Sequence, residues 1–527
     1  MPSFALVEQL LVCRLANRPD SKSQSPHRLG TSMNNENQFE SQRCVSERSS
    51  RRHFLAQQGI AGATLCIAGL AAQQAAGEPP KPALEPIQYD LKPKQPHLVP
   101  QTKAMISMFM QGGPSHIDLF DRKIEVEKRN GEKYTGDLKY DNAAESSAKI
   151  WSGPWKWERY GQCGMELSEL VPHLGSIADD ITLIRSMNTG VNNHGQSIYA
   201  LHHGRVTEGR PVLGSWITYG LGTESQQLPA FVVLTDPGGL PVLGTDCWSN
   251  GWLPSLYQGT VIRPQEPRIL NLNPPPHLAG RPQRAYLDLL KELNAEHLAS
   301  RAYENDLQAR MSSYELAEAM QTAARDALDI SKETQETHKL YGLDQDATRE
   351  YGTRCLIARR LVERGVRFVQ IYTSTQQWDH HGNIKDALPG ACKKTDQPSA
   401  ALVKDLKQRG LLDSTLVHWG GEMGRLPVVQ NEKSIGRDHN TYGFSTWLAG
   451  GGIRQGTVYG QTDDFGYQAV TDIVHHYDYH ATVMHLFGLE PSKLAFVRPG
   501  GIGTLLDGQP GKIVEGILKQ PLAKSPA

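Results

Sequence analysis

Cysteine is scarce in this chain: seven in 527 residues, at Cys13, Cys44, Cys66, Cys163, Cys247, Cys355 and Cys392. No two are spaced C-x-x-C, which argues against a zinc–cysteine site and against a dithiol redox centre. Net charge is also lacking. Lys and Arg number 55 against 56 Asp and Glu, a formal charge of -1 with no basic stripe, so nucleic acid is not an expected partner. No apolar run reaches the length of a membrane-spanning helix; the longest candidate, Ile60 to Ala72, is too short. Nucleotide and serine-hydrolase signatures are missing too. There is no P-loop, no G-x-S-x-G elbow, and no G-x-G-x-x-G after the first strand-like run.

What is present begins with a leader. Residues 1–49 are polar and aperiodic; then comes SRRHFLAQQGIAGATLCIAGLAAQQAAGEPPKP. Ser50, Arg51, Arg52, Phe54 and Leu55 resemble a twin-arginine export signal, followed by a short apolar core and the small residues Ala75-Ala76-Gly77. Starting at Met33 would give this leader a conventional length. The expectation is an exported protein, periplasmic or secreted, with the twin-arginine machinery as a partner and residues 1–77 removed. Residues 78–102 are rich in proline and read as an extended linker.

Beyond the linker, apolar runs alternate with amphipathic stretches. AMISMFM, DITLIRSM, LPAFVVLT, VRFVQIY, TLVHW and FSTWLA read as strands. RCLIARRLVERG and SAALVKDLKQRG read as helices closed by glycine. This order predicts an α/β fold: a mostly parallel sheet covered on both faces, a three-layer α/β/α sandwich over 103–489. The Gly-, Pro- and Trp-rich segment 236–280 reads as a surface loop or cap, 283–345 as a helical insertion, and 490–527 as a C-terminal tail. His202 and His203 read as surface or packing residues.

In such sheets the chemistry gathers beyond the C-terminal ends of the strands. Four polar clusters fall there: Ser115, His116, Asp118 and Asp121; Asn192, Asn193, His194 and Ser197; Asp379, His380, His381 and Asn383; and Glu422, Arg425, Asp438 and His439. Carboxylates beside imidazoles suit a divalent cation: the carboxylate offsets charge and the neutral ring donates a lone pair. Water at such a centre is a ready nucleophile.

Taken together, QGGPSHIDLFD, LGSWITYGLGTE, CLIARRLVERGVRFVQIY, WDHHGN, LKQRGLLDSTLVHWGGEMGR, GRDHN, WLAGGGI and DYHATVMHLFGL resemble the exported family known as domain of unknown function 1501, often labelled sulfatase-like. The resemblance runs from about Ala104 to Leu489. It implies the alkaline phosphatase-like fold and a metal-dependent hydrolase of phosphate or sulfate esters or related anionic substrates. Departures accompany it. Where the wider superfamily ends a strand in Asp-His-Gly, this chain has Glu422 and Met423. Where a ligand Asp closes the first strand it has Gln111. In the register of the sulfatase signature, His194 takes the nucleophile position, with Ser197 the nearest hydroxyl, which disfavours formylglycine chemistry.

From the resemblance, Asp379, His381 and His439 are expected to form the better metal site, with Asp438 or Asn383 adding oxygen. Asp379 pairs with Asn383, or with His381 if the loop differs. Glu422, His194 and Asp118 would complete a second site or act as acid/base groups, and Arg425 would hold an anion. The expected cation is zinc or manganese, with calcium as an alternative. A rival reading keeps the fold but binds a polysaccharide or surface partner without turnover.

Overall fold

The computed structural model describes residues 89–520 except 142–146, 279, 302–304 and 499. The leader, with its twin-arginine motif and three of the cysteines, lies outside the described residues. No helix among the described residues is long and apolar enough to cross a membrane.

A nine-stranded sheet forms the centre. Its strands in chain order are β1 (Ala104–Phe109), β2 (Ile181–Asn188), β3 (Phe231–Leu234), β4 (Thr260–Ile262), β5 (Phe368–Tyr372), β6 (Thr415–Gly420), β7 (Phe444–Ala449), β8 (Thr457–Tyr459) and β9 (Val474–His475). The spatial order is β8-β2-β7-β6-β1-β5-β3-β4, with β9 added beside β2. Every pairing is parallel except those of β7, which runs against both β6 and β2. That reversal was not anticipated. FSTWLA is as apolar as its neighbours, and strand direction is set by the connection and not by local composition.

The period-2 alternation of the strands divides the core into two layers. Ile106 and Met108 of β1, Val369 and Ile371 of β5, and Val417 and Trp419 of β6 face one way. They pack under the helices Asp346–Glu363 and Ile384–Gln408, to which Leu356, Leu361, Leu402 and Leu406 belong. Met105 and Phe109, Phe368 and Tyr372, and Leu416 face the other way. There they meet the helices His194–His203, Leu213–Leu221 and His476–Leu486 through Ile198, Trp216, Ile217 and Met484. The result is a three-layer α/β/α sandwich with a mixed, mostly parallel sheet.

Two stretches differ from the sequence reading. Segment 236–280 is not simply a surface cap: Cys247, Trp248, Leu253 and Tyr257 are buried, and β4 extends the central sheet. The proline-rich segment is extended from Tyr89 onward but docked, with Lys94 N donating to Leu221 O and Leu98 N to Gly488 O. His202 and His203 are packing residues, both buried, with His202 between Gln370 and the Tyr372 hydroxyl. Within 283–345, the helices Arg281–Ala299 and Asn305–Leu328 pack against each other.

Candidate metal centre

The centre lies beyond the C-terminal ends of the adjacent strands β5, β1 and β6. After β1 the chain turns through Gln111-Gly112-Gly113, and Trp378 N donates to Gln111 O at 3.0 Å, which ties this turn to the loop after β5. Gly112 has φ +109°, and a Cβ there would lie 2.5 Å from Asp379 N. Only glycine lets the two loops close this tightly. His194 opens its helix behind the N-cap Asn193. His439 sits opposite Arg425 in a two-stranded ribbon, Gly424–Arg425 with His439–Asn440. Just before it, Gly436 passes so close to the His381 backbone that a Cβ would overlap it.

Four side chains converge: His194, Asp379, His381 and His439 each offer a ligand atom, and all four atoms lie within 4.8 Å of one another. His381 Nε2 is 2.9 Å from Asp379 Oδ1, His439 Nε2 is 3.5 Å from the same oxygen, and His194 Nε2 is 3.3 Å from Oδ2. His381 Nε2 and His439 Nε2 are 3.0 Å apart.

The opposite nitrogen of each ring faces an oxygen. His194 Nδ1 is 2.7 Å from Glu422 Oε1, His381 Nδ1 is 2.5 Å from Gln430 Oε1, and His439 Nδ1 is 3.3 Å from Asn192 O. Carboxylate and carbonyl oxygens only accept, so each Nδ1 is a donor. In the neutral rings, three Nε2 lone pairs then point at one volume beside a carboxylate, and outer acceptors hold the rings in that tautomer.

Electrostatics agree with a site poised for positive charge. Burial alone would push the His194 imidazole down, but Asp379 and Glu422 outweigh it and bring it up to about 9. Burial likewise opposes Asp379, yet His194, His381, His439 and Arg425 hold its carboxyl far below the usual range. His381 is raised against burial by Asp379. His439 is lowered, because burial prevails over Asp379.

Other expected site residues stand outside this group of four. Asp118 lies outside both groups of converging ligand atoms: its carboxylate takes a two-pronged grip from Arg437, at 2.8 and 2.9 Å, and a 2.5 Å bond from Ser115 Oγ. Arg425 is engaged by protein groups. Its guanidinium is fully buried and donates to the carbonyls of Gly112, Gly113, Trp378 and Arg437 as well as to Asp379. Asp438 caps backbone N–H groups of His439 and Asp141, and forms a second candidate group with Asp141 and His439. The backbone N–H of Asn383 donates to Ser434 Oγ at 3.0 Å. The Ser197 hydroxyl donates to Val191 O. Gln430 and Asp141 were not anticipated, since an amide and a lone acid far from the strand ends carry no local signal.

No curated protein matches this sequence. Among solved structures, a phosphonate monoester hydrolase from Silicibacter pomeroyi is similar over 81% of this chain and 78% of its own, at 10% identity and TM-score 0.35. A sulfatase from Pseudoalteromonas sp. is similar over 74% and 68%, at 12% identity and TM-score 0.32. A protein of the alkaline phosphatase superfamily from Vibrio parahaemolyticus is similar over 84% and 76%, at 10% identity and TM-score 0.32. Scores this low transfer no chemistry. The sequence itself does place the chain: residues 102–518 match a single family, and this protein belongs to the family described as protein of unknown function, DUF1501.

Proposed function

We propose that this chain is an exported hydrolase whose centre is a divalent cation held by His194, Asp379, His381 and His439. One observation carries the reading. Two imidazole nitrogens stand 3.0 Å apart while the opposite nitrogen of each ring is committed to an acceptor. Two lone pairs that close repel unless a proton or a cation lies between them. Three nitrogens and one carboxylate oxygen are the donor set of zinc or manganese. Calcium, which prefers six or more oxygens, fits poorly.

The protein groups have separable roles. Asp379 is kept anionic by its neighbours and offsets the charge of the cation. Gln430 and the Asn192 carbonyl fix the rings of His381 and His439. Such a cation supplies Lewis-acid polarisation and a nucleophile drawn from water at neutral pH. No side-chain hydroxyl is needed, in keeping with Ser197 being engaged by Val191 O. The substrate class is an anionic ester, phosphate or sulfate, and its charge would be met by the cation because Arg425 is engaged elsewhere.

That engagement of Arg425 also favours a second reading, a binding protein that keeps the cluster without turnover. Metal analysis of the full chain, followed by assay of p-nitrophenyl phosphate, p-nitrophenyl sulfate and a phosphonate monoester before and after chelation, separates the two. Bound metal with chelator-sensitive hydrolysis supports the hydrolase. Bound metal with no hydrolysis of any ester supports the binding protein, and no bound metal ends the reading.

A further inference from the structure

We infer that Glu422 is a positioning residue and not a ligand: it fixes the ring of His194, and the site accordingly takes one cation per chain. The inference rests on the proposed metal centre and specifies its stoichiometry.

Glu422 follows the central strand β6 and is completely buried, whereas the side chains of His194 and Asp379 remain 11% and 13% exposed. It is absent from both groups of converging ligand atoms. Its Oε1 is engaged twice, accepting from Gly112 N at 2.9 Å and from His194 Nδ1 at 2.7 Å. The first bond anchors the carboxylate to the turn after β1. The second leaves His194 Nε2 facing Asp379 Oδ2 at 3.3 Å. A carboxylate behind a ligating imidazole sets its orientation and raises its basicity.

The second candidate group, Asp141, Asp438 and His439, shares His439 with the first, and both Asp438 oxygens already accept backbone N–H groups, which leaves little for a second cation. Met423 is buried, and its Cγ would lie 2.6 Å from a Cβ built on Gly113, so the thioether is packed beneath the same turn. Aspartate in place of Glu422 would be one methylene shorter and would not reach His194 Nδ1. Glu422 Oε2 is buried with no hydrogen-bond partner among the described residues. The carboxylate is therefore held through Oε1 alone, and the amide of a glutamine could replace Oε2 without breaking an existing bond.

The test is titration of Zn2+ and Co2+ into the purified full chain, for wild type, E422Q, E422A, H194A and the double variant H194A/E422A. Thermal melts of the metal-free forms verify folding. Wild type is expected to bind one cation. E422A should bind it about 10–100-fold more weakly, with an altered visible Co2+ spectrum. E422Q, which keeps the acceptor, should lose less. In the H194A background, E422A should cause no further loss, because Glu422 acts only through that ring. Two cations in wild type with one lost in E422A would make Glu422 a ligand and overturn the inference. So would an equal loss in the H194A background, or no loss in E422A while wild type binds one cation. No cation in wild type would overturn the metal centre itself, an outcome distinct from the others.

Discussion

Arg425 Nη2 lies 2.5 Å from Asp379 Oδ1, on a guanidinium that solvent does not reach. The same guanidinium donates to four backbone carbonyls of the turn after β1, the loop after β5 and the Arg437 segment. It is thus the clamp that brings three loops together under the cluster. Lysine has one point charge and no planar fork, so it cannot replace that set. R425K and R425A are expected to destabilise the fold by about 3–5 kcal/mol, the range for breaking a buried charge pair. Urea unfolding of the metal-free protein measures this, and a change below about 1 kcal/mol, the range of exposed pairs, would refute the clamp.

Metal should stabilise the folded chain by mass action. Zinc at about a thousand times its dissociation constant adds about 4 kcal/mol to a protein that binds it only when folded. Thermal melts with added Zn2+ are expected to shift upward in wild type and to stay put in D379A. An equal shift in D379A would mean that zinc binds outside the cluster.

Acid sensitivity follows from histidines remote from the centre. Burial pushes His202, His418 and His480 down to about 3, and His203 and His476 to about 4. Their folded values lie below the ordinary value near 6.5, so the unfolded chain takes up protons that the folded chain refuses. Stability is complete above pH 6.5 and falls as pH drops toward 4, by about 1.4 kcal/mol per pH unit for each group. Melting temperature is expected to drop steeply between pH 7 and 5. H418N should flatten that slope by about one proton, since His418 is held by Ser107 Oγ at 3.0 Å and by no charge. An unchanged slope would mean that His418 takes up its proton in the folded chain as it does in the unfolded one.

Much of this could be read from residues, and the failures have physical causes. The strands were visible as apolar runs, and the rule that chemistry gathers at strand ends led to Asp379, His381 and His439. His194 stood in another of those strand-end clusters, and the resemblance put it in the nucleophile position or in a second site, apart from the other three. What could not be read was the function of charge. Arg425 and Arg437 look alike in sequence, each near a glycine and an acid, yet both guanidinium groups are buried and engaged. Gln430 reaches His381 across 49 positions of chain, and Asn192 contributes a backbone carbonyl. Neither contact depends on a pattern that a local window contains.

Gly436 offers a test of how closely the loops must approach. Its Cβ position overlaps the carbonyl carbon and oxygen of His381, both backbone atoms that cannot rotate away. G436A should move the His381 loop and weaken zinc binding by about tenfold or more, while the sheet and helices keep their far-UV circular dichroism. Unchanged zinc affinity would mean that the Ser434–Asp438 segment relaxes independently of His381.

Asp118 separates a ligand from a structural carboxylate. It was a plausible ligand because it follows β1, but the structure joins it to Arg437, whose guanidinium also lies 4.6 Å from the Trp151 ring and donates to Trp151 O. Removing the carboxylate leaves a buried cation without its partner, a loss of about 3–5 kcal/mol. D118A is therefore expected to be markedly less stable yet to bind as much metal per folded chain as wild type. D118N, which keeps one acceptor, should fall between them in stability. Measuring stability and metal content on the same samples decides the matter: loss of metal without loss of stability would return Asp118 to the ligand set.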